Sequence, residues 1–364
     1  MMIFILIIFA LIILLILFNK RAVPVFLYHQ VNPISSNVSP ELFEEHLKII
    51  KKYNMETITI SEYYNKNINK NSMLLTFDDG YYDNFKYVFP LLKKYNMKAT
   101  IFLNTLYIMD KRESEPEIKD NNTVNLEAIK KYIENGKATI NQYMSWEEIK
   151  EMRDSGLVDF QAHSHKHMAI FTNTKIEGLT KKDRMEAPEL YLYGELEDNF
   201  PVFAKRGEYS GKAKIVKKKF FNIFKNFYEE NIENKITDKN EILKKCQEFI
   251  NKNSEYFSDE SEAEYKKRIE EDYLGNKRLI EKNLGNQVKF FCWPWGHRSK
   301  ETIKILKELG VVGFISTKKG TNSMKPNWDM IRRIELRKYS PEKFKINLLV
   351  ARNLILGKIY GWIS

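Results

Sequence analysis

Two adjacent acidic residues, Asp78 and Asp79, directly follow a short apolar run at 73–77 that is typical of a buried strand. Neighbouring side chains at a strand end point in different directions, so the two carboxylates can have different roles. One can bind a metal ion while the other stays free to act as a base. The simpler interpretation is a turn, because Asp and the following Gly80 are residues that turns prefer.

Three of the six histidines lie within five residues, at His163, His165 and His167, after a second apolar run at 158–162. His163 and His167 are four residues apart, a spacing that places two imidazoles on one face of a helical turn, where they can share a metal ion. A solvated loop without function is the alternative. The close clustering of the three histidines favours metal binding.

A third group, with the sequence Trp-Pro-Trp-Gly-His at 293–297, follows the apolar run 288–292. Its aromatic residues either close the hydrophobic core or form a rigid wall for a sugar ring, and the sequence of this group alone favours neither. In the second interpretation Pro294 and Trp295 contact the substrate. A backbone N–H near Trp295 would then help to hold an oxyanion.

Together the three groups fit one hydrolytic mechanism. Asp79, His163 and His167 would form a site of two histidines and one carboxylate with an open coordination position, which is the pattern of a catalytic metal ion. A divalent metal is therefore expected, with Zn²⁺ first, because Zn²⁺ lowers the pKa of bound water to ~7 and polarises a carbonyl oxygen. Asp78 would take the proton from that water, and a histidine is the natural proton donor to a leaving amine.

The apolar runs that precede these groups alternate with helical patterns along the whole body of the chain. Ser145 and Glu148 have capping-box spacing at the start of one predicted helix. This alternation predicts an α/β fold, either a barrel or a doubly wound sheet. A barrel is favoured because the polar groups follow strand ends, where barrel active sites form. Further strands are predicted at 23–29, 98–103 and 311–315, and helices at 40–53, 145–156 and 300–309.

Two stretches interrupt the alternation. Residues 110–141 are polar and have no strand period, and 181–277 is predicted to be a mainly helical insertion. Within the insertion, residues 205–225 carry eight basic residues and one acid, whereas 255–272 carry eight acids and three bases. The opposite charges suggest that the two segments face each other.

Residues 1–18 form an unbroken apolar run that is followed by Asn19, Lys20 and Arg21. As a helix this run is roughly 27 Å long, close to the ~30 Å of a bilayer core. No charged segment precedes the run and no small-residue cleavage site follows it, so residues 1–21 are expected to be a retained transmembrane anchor for a body at 22–364. The positive charges after the span favour a cytoplasmic body.

The composition excludes several classes of protein. A chain of 364 residues with 43% hydrophobic residues is neither disordered nor a multi-span membrane protein. Two cysteines are too few for a disulfide framework. The net charge of +11 would suit an anionic partner, but lysine is abundant along most of the chain, and no motif of a nucleic-acid-binding fold is present. We therefore expect no nucleic-acid partner.

The segments TFDDG at 76–80 and HSHKH at 163–167, with the Pro294-Trp295 turn, resemble the first three motifs of the NodB-type polysaccharide deacetylases, carbohydrate esterase family four. The resemblance extends over about 23–335, apart from the insertion. It implies a distorted (β/α) barrel, a zinc-like divalent ion and hydrolysis of N-acetyl groups in polymers that contain N-acetylglucosamine. It also implies that Asp78 is the base and that Asp79, His163 and His167 bind the ion.

The chain departs from the family pattern in its positive charge near the base. The arginine that the family usually has three residues before the proline of the third motif, where it orients the base, is replaced here by Phe291. Arg332 and Arg333, in a strand-like segment, are candidates to supply the missing charge near Asp78.

The general-acid histidine of the last family motif is also absent, because no histidine follows His297. Together with the early Tyr28-His29 pair, this absence resembles the branch that acts on surface poly-N-acetylglucosamine. The general acid would then be His29, His165, His297 or a water molecule. His29 is favoured because it ends the first strand on the same barrel face.

The expected function is therefore removal of N-acetyl groups from a cell-surface or cell-wall polysaccharide that contains N-acetylglucosamine. Such an enzyme has to face outward, so an extracytoplasmic body is expected in spite of the charge rule. Two alternatives stay open. One is an amidohydrolase of the same fold that acts on a small cytoplasmic amide, and the other is a glycan-binding relative that has lost turnover.

Overall fold

The structure is a computed structural model that describes residues 2–17, 21–34, 38–119, 121–136, 138–181, 197–337 and 340–363. In chain order its strands are β1 Ala22–Val23, β2 Val25–Tyr28, β3 Glu56–Thr57, β4 Ser72–Phe77, β5 Ala99–Asn104, β6 Val158–Ser164, β7 Ala169–Leu179, β8 Pro201–Gly207, β9 Lys214–Val216, β10 Phe257–Asp259, β11 Phe290–Cys292, β12 Gly313–Ile315, β13 Asn322–Ser323 and β14 Ile334–Glu335. Its α-helices are α1 Met2–Leu17, α2 Pro40–Lys52, α3 Ile60–Tyr64, α4 Phe89–Tyr95, α5 Asn121–Asn135, α6 Trp146–Asp154, α7 Lys218–Asn231, α8 Lys239–Lys252, α9 Glu262–Leu284, α10 Lys300–Glu308, α11 Pro341–Ala351 and α12 Leu354–Ile363.

A parallel sheet forms the centre of the molecule, with the strand order β12-β11-β6-β5-β4-β2-β14. The two ends of this sheet meet, because Ile331 pairs with Ile315 of β12 and the chain continues from there into β14, which pairs with β2. The sheet therefore closes into a distorted barrel. The barrel predicted from the alternating pattern is confirmed.

The barrel strands are buried on both faces, which explains their continuous apolar sequences. Every residue of β4 and of β5 is buried. Parallel strands with helices outside the sheet have this composition, whereas a strand with one wet face would alternate. Because these strands run parallel, the carboxyl ends of β2, β4, β6 and β11 meet at one end of the barrel.

The capping-box signal at Ser145 and Glu148 is also confirmed. Ser39 caps α2, and Ser145 forms a full capping box with Glu148 at the start of α6. Pro90 lies inside a continuous helical stretch, because the π-helical segment Asn84–Val88 runs directly into α4 and both Val88 and Phe89 have helical dihedrals.

The region predicted as a mainly helical insertion contains helices α7 and α8 and also strands. β7 and β8 pair as a long antiparallel hairpin that begins before residue 181. Phenylalanines of α7 and α8 pack in a separate apolar cluster together with Phe171 and Phe203 of this hairpin. α9 instead packs its apolar side chains, among them Tyr273 and Ile280, into the core of the barrel.

The two oppositely charged segments do face each other. β9 and β10 pair as antiparallel strands, and Lys214 forms an ion pair with Asp259 across them. Lys212 also pairs with Glu262 at the start of α9. In the polar stretch 110–141, which had no strand period, the structure places α5. Among the described residues, no helix has both the length and the apolar character to cross a bilayer.

Candidate active site

The predicted site residues come together at the carboxyl ends of the barrel strands. Asp78 and Asp79 directly follow β4, and His163 is the next-to-last residue of β6. His29 follows β2, and the turn that contains Trp295 follows β11. The barrel therefore brings four distant segments of the sequence to one edge.

Asp79, His163 and His167 form a group that can bind a metal ion. Asp79 Oδ1 lies 3.5 Å from His163 Nε2 and 3.6 Å from His167 Nε2. Tetrahedral bonds of about 2.0–2.1 Å hold two ligand atoms about 3.3 Å apart, so these separations fit an ion of the zinc type. The three donor atoms already lie within 4.8 Å of one another.

Neighbouring groups orient these donors. The Nδ1 atom of His163 lies 2.9 Å from the backbone oxygen of Cys292, which leaves Nε2 as the metal-binding nitrogen. Asn104 Nδ2 donates a hydrogen bond of 2.8 Å to Asp79 Oδ1. Burial lowers the pKa of His163 and that of His167 to about 4. Both imidazoles are therefore neutral near pH 7, as metal ligands have to be.

The prediction that His163 and His167 share a helical turn is wrong. β6 extends to Ser164 and pairs with Asn104 there, so His163 belongs to the strand. The chain then bends back, and His167 has a φ of 54°. Its backbone N–H donates to Ser164 Oγ at 2.8 Å, which holds this bend. The two imidazoles still meet, with ring centres 5.1 Å apart, through a different backbone path.

The backbone around the site is held in conformations that L-residues rarely adopt. Asp79, His167 and Trp295 all have φ between 52° and 76°. Non-glycine residues in this region cost of order 1–3 kcal/mol each and persist only where the surrounding structure imposes them. Three such residues in one site indicate that the surrounding packing holds the backbone in the conformation that positions these side chains.

Asp78 is not part of the metal-binding group, because it is paired with Arg333. Arg333 Nη1 and Nη2 donate hydrogen bonds of 2.7 Å and 2.8 Å to the two carboxylate oxygens. Both side chains are almost completely buried. Burial alone would raise the pKa of Asp78, but the Arg333 guanidinium and the nearby His163 outweigh it and hold this pKa well below its usual range. Asp78 is therefore a carboxylate at neutral pH.

Of the two arginines proposed to supply the missing charge, the structure selects Arg333. Arg332 points elsewhere and donates to the backbone oxygen of Lys319 at 3.0 Å. Phe291, at the family's arginine position, is buried in the core of the barrel. The guanidinium therefore reaches the base from a segment at the far end of the chain.

Cys292 is a site residue that the sequence analysis did not single out. Its Sγ atom lies 3.0 Å from Arg333 Nη2 and 3.5 Å from Asp78 Oδ2. Asp78, His163 and Cys292 form a second group of possible metal donors. Arg333 already occupies the Asp78 carboxylate, and burial raises the pKa of the Cys292 thiol well above its usual value. The group around Asp79 is therefore the better cation site.

The candidate general acids occupy different surroundings. His29 is about one-third exposed, and its Nδ1 lies 3.9 Å from Glu335 Oε1. His165 Nδ1 lies 3.0 Å from Thr105 Oγ1, and its ring faces Gly275 of α9 on the outside of the barrel. His297 Nδ1 accepts a hydrogen bond of 2.9 Å from the backbone N–H of Gly207. Of the three histidines, His29 is the one that directly follows β2, the barrel strand that pairs with β4 and so lies beside Asp78.

Trp295 forms an aromatic wall beside the metal-binding group. Its ring centre lies 4.1 Å from that of His167, and 41% of the residue is exposed. Pro294 is buried and forms the backbone of the turn. Gly207 at the end of β8 packs so closely on Trp295 that an added Cβ would lie 2.7 Å from its ring. The hairpin therefore fixes the position of the indole.

Buried carboxylates outside the barrel hold the histidine loop. Asp272 of α9 accepts hydrogen bonds of 2.9 Å and 3.0 Å from the backbone N–H groups of His165 and Lys166. Glu208 accepts one of 3.2 Å from that of Met168. No sequence signal singles out these two acids, because their partners are backbone groups far away in the chain.

A parallel barrel with two histidines, one carboxylate and a separate buried acid at its carboxyl end defines a site that could bind a metal ion and carry out hydrolysis. The family model of polysaccharide deacetylases matches residues 65–187 and 212–314, which is more than half of the chain. The chain belongs to this family. The resemblance to the NodB-type enzymes, and within them to the poly-N-acetylglucosamine branch, is confirmed.

Curated relatives match parts of the chain. The chain is 27% identical over 195 residues to a poly-β-1,6-N-acetyl-D-glucosamine N-deacetylase of Staphylococcus aureus, a match that covers 47% of this chain and 59% of the relative. It is 38% identical over 86 residues to the Bacillus subtilis protein YxkH, named as a polysaccharide deacetylase, which covers 22% of this chain and 31% of that protein. The matches thus span less than two thirds of either relative.

Solved structures share the fold. A de-N-acetylase from Aggregatibacter actinomycetemcomitans superposes with a TM-score of 0.56 at 16% identity, covering 89% of this chain and 98% of that one. The deacetylase domain of BpsB from Bordetella bronchiseptica gives a TM-score of 0.55 at 17% identity, with 87% and 97% covered. At these identities the likeness supports the barrel fold alone.

Proposed function

We propose that this chain is a metal-dependent N-deacetylase of a polysaccharide that contains N-acetylglucosamine. The proposal rests on one observation, which is that two separate groups of side chains lie at the same end of the barrel. Asp79, His163 and His167 present three donor atoms to one point, while Asp78 is kept ionised and away from that point by Arg333. A hydrolase that needs both a cation and a free base requires this separation.

The donor set fits a divalent ion of the zinc type. One carboxylate oxygen and two neutral imidazole nitrogens suit Zn²⁺ and leave a coordination position open. Such an ion supplies Lewis-acid chemistry, since it polarises a carbonyl oxygen and makes a bound water more acidic.

The protein's own groups have distinct roles in the proposed reaction. The Asp78 carboxylate accepts the proton of the attacking water, and Arg333 keeps that carboxylate oriented. His29 gives a proton to the leaving amine. The indole of Trp295 stacks on the sugar ring, and a backbone N–H of its turn donates to the developing oxyanion.

The substrate class follows from the relatives. The Staphylococcus aureus relatives are named for poly-β-1,6-N-acetyl-D-glucosamine, and we extend this substrate to the present chain. The exposed indole beside the metal-binding group supports a sugar substrate, because aromatic faces pack well on sugar rings. We further propose that residues 1–21 anchor the protein in a membrane with the barrel outside the cytoplasm, where such a polymer is found.

The test is acetate release from β-1,6-linked N-acetylglucosamine oligomers by the full chain. We expect activity that a chelator removes and that added Zn²⁺ restores. Asp78→Asn should lower the rate by about 10²–10⁴-fold, since it removes the proton acceptor. Asp154→Asn, an exposed acid on α6, is the matched control and should match wild type.

Three outcomes would contradict the proposal. Equal acetate release by wild type and Asp78→Asn would refute the assigned base. Oligomer binding without acetate release would favour the glycan-binding alternative. Turnover of a small acetamide with no turnover of any oligomer would favour the amidohydrolase.

Zn²⁺ binding by Asp79→Asn, measured by equilibrium dialysis, reports on the proposed metal site independently of activity and should be weaker than in wild type.

A further inference from the structure

The helix near the end of the chain, α12, packs on the body through its glycines. A Cβ added at Gly357 would lie 2.4 Å from Thr321 Cγ2, and one added at Gly361 would lie 2.6 Å from the backbone oxygen of Lys319. The backbone of α12 therefore touches the body directly. Tyr360 of this helix also packs against the barrel core, whereas Ile359, Trp362 and Ile363 do not lie on this packed side.

The opposite face of α12 is apolar and exposed. Ile359 is 49% exposed, Trp362 is 87% exposed and Ile363 is 71% exposed. Their spacing of three and four residues places the three side chains on one stripe of the helix. Single exposed apolar residues are ordinary, but a stripe that includes an almost fully exposed tryptophan marks a surface with an apolar partner.

The N-terminal apolar run reaches the body beside this helix. Arg21 forms a β-bridge with Asn353, and the backbone N–H of Ala22 donates to the oxygen of Arg352 at 3.1 Å. α12 begins directly after these two residues. The apolar run ends at Phe18, and three residues of chain span at most ~11 Å. A bilayer that holds the run therefore lies within reach of α12.

The charge around the stripe suits an anionic surface. From residue 343 to the end of the sequence there are four basic residues and no acidic residue. Lys358 is exposed next to the stripe, and Lys319 is exposed on the segment on which α12 packs. Cations of this kind are attracted to anionic headgroups, and Trp is enriched at the level of the headgroups.

We propose that Ile359, Trp362 and Ile363 lie in the headgroup region of a lipid bilayer, beside the point where the N-terminal anchor enters the protein. The proposal rests on the proposed anchor and not on the proposed chemistry. It fixes the orientation of the barrel. Ala22 lies before β2 and His29 lies after it, seven residues or about 23 Å further on, so the catalytic end points away from the membrane.

The experiment measures lipid contact at single positions of the full chain. Both native cysteines are buried, so Trp362→Cys can be labelled selectively with an environment-sensitive fluorophore. Ile34→Cys is the matched control, because Ile34 is an exposed apolar residue on the loop after β2, at the catalytic end. The labelled chains are reconstituted into vesicles of phosphatidylglycerol and phosphatidylcholine, with a nitroxide on the lipid headgroup as quencher.

We expect the protein to float with the vesicles and the nitroxide to quench the label at 362 several-fold more than the label at 34. Flotation with equal quenching at the two positions would overturn the proposal for α12, although it would still support the membrane anchor at residues 1–21. Absence of flotation would overturn both. A label at 362 that is shielded without lipid would also overturn the proposal. It would favour a second copy of the chain if the unlabelled Trp362→Cys variant forms disulfide-linked dimers, and the N-terminal helix if it does not.

Acetate release in the same samples separates this proposal from the proposed function. Trp362→Cys should keep the wild-type rate on soluble oligomers, because Trp362 is 87% exposed and its helix carries none of the proposed site residues. Quenching without activity would refute the deacetylase and leave the membrane surface intact.

Discussion

Replacing Arg333 by methionine tests the link between the buried ion pair and the proposed base. The substitution keeps most of the side-chain volume and removes the guanidinium that binds both oxygens of Asp78. Because the two side chains are 0% and 3% exposed, water cannot replace the lost partner. Breaking a buried pair in this way costs about 3–5 kcal/mol of folding free energy.

The same substitution should abolish the proposed chemistry. Asp78 either stays charged without a partner or takes up a proton, and a protonated carboxyl cannot accept one from water. We therefore expect kcat to fall by about 10²–10⁴-fold on oligomer substrate. Arg332→Met is the matched control, since the side chain of the neighbouring arginine donates to the backbone oxygen of Lys319 and not to Asp78.

Urea unfolding and acetate release measure the two effects separately. The double variant Asp78→Asn/Arg333→Met removes both charges, so its unfolding free energy should lie closer to wild type than the sum of the single changes predicts. Additive losses in the double variant, or an Arg333→Met variant as stable and active as Arg332→Met, would refute the reasoning.

Three further predictions concern groups around the site. Asp272→Asn should weaken Zn²⁺ binding in equilibrium dialysis, because an amide cannot accept from two backbone N–H groups as a carboxylate does, whereas the exposed Glu271→Gln should not. Burial raises the pKa of Asp83 to about 7, so the native state favours its protonated form. Its contribution to stability should be complete below about pH 4 and be lost as the pH rises to 7, and urea unfolding of Asp83→Asn should lack this slope. Gly207→Ala should displace the indole of Trp295 and raise KM for oligomers more than it lowers kcat.

The fold and the metal-binding group could be predicted because their signals are local. Apolar runs marked the barrel strands, Asp78-Asp79 and His163 stood directly after such runs, and His167 followed four residues later. The helical turn assigned to the two histidines was wrong because a spacing of four residues does not reveal whether a strand continues. Pairing of Ser164 with Asn104 extends β6 and decides the backbone there.

The second half of the site depends on contacts that no local pattern records. Arg332 and Arg333 are equivalent in sequence, but adjacent residues in an extended segment point to opposite sides, and only the register of the segment on its neighbours decides between them. Cys292 is likewise an ordinary apolar residue of a strand until the barrel closes and Asp78 and Arg333 lie against it.

The carboxylates that hold the histidine loop show that the segment 181–277 supports the candidate site. Asp272 and Glu208 both lie between 181 and 277, yet they bind the backbone N–H groups of residues 165, 166 and 168. Gly207 in the same region fixes the wall formed by Trp295. Removal of the segment 181–277 would therefore free the loop that carries His167. The segment 181–277 is therefore a structural part of the proposed metal site, and any role in covering the substrate has to be tested by point changes rather than by deletion.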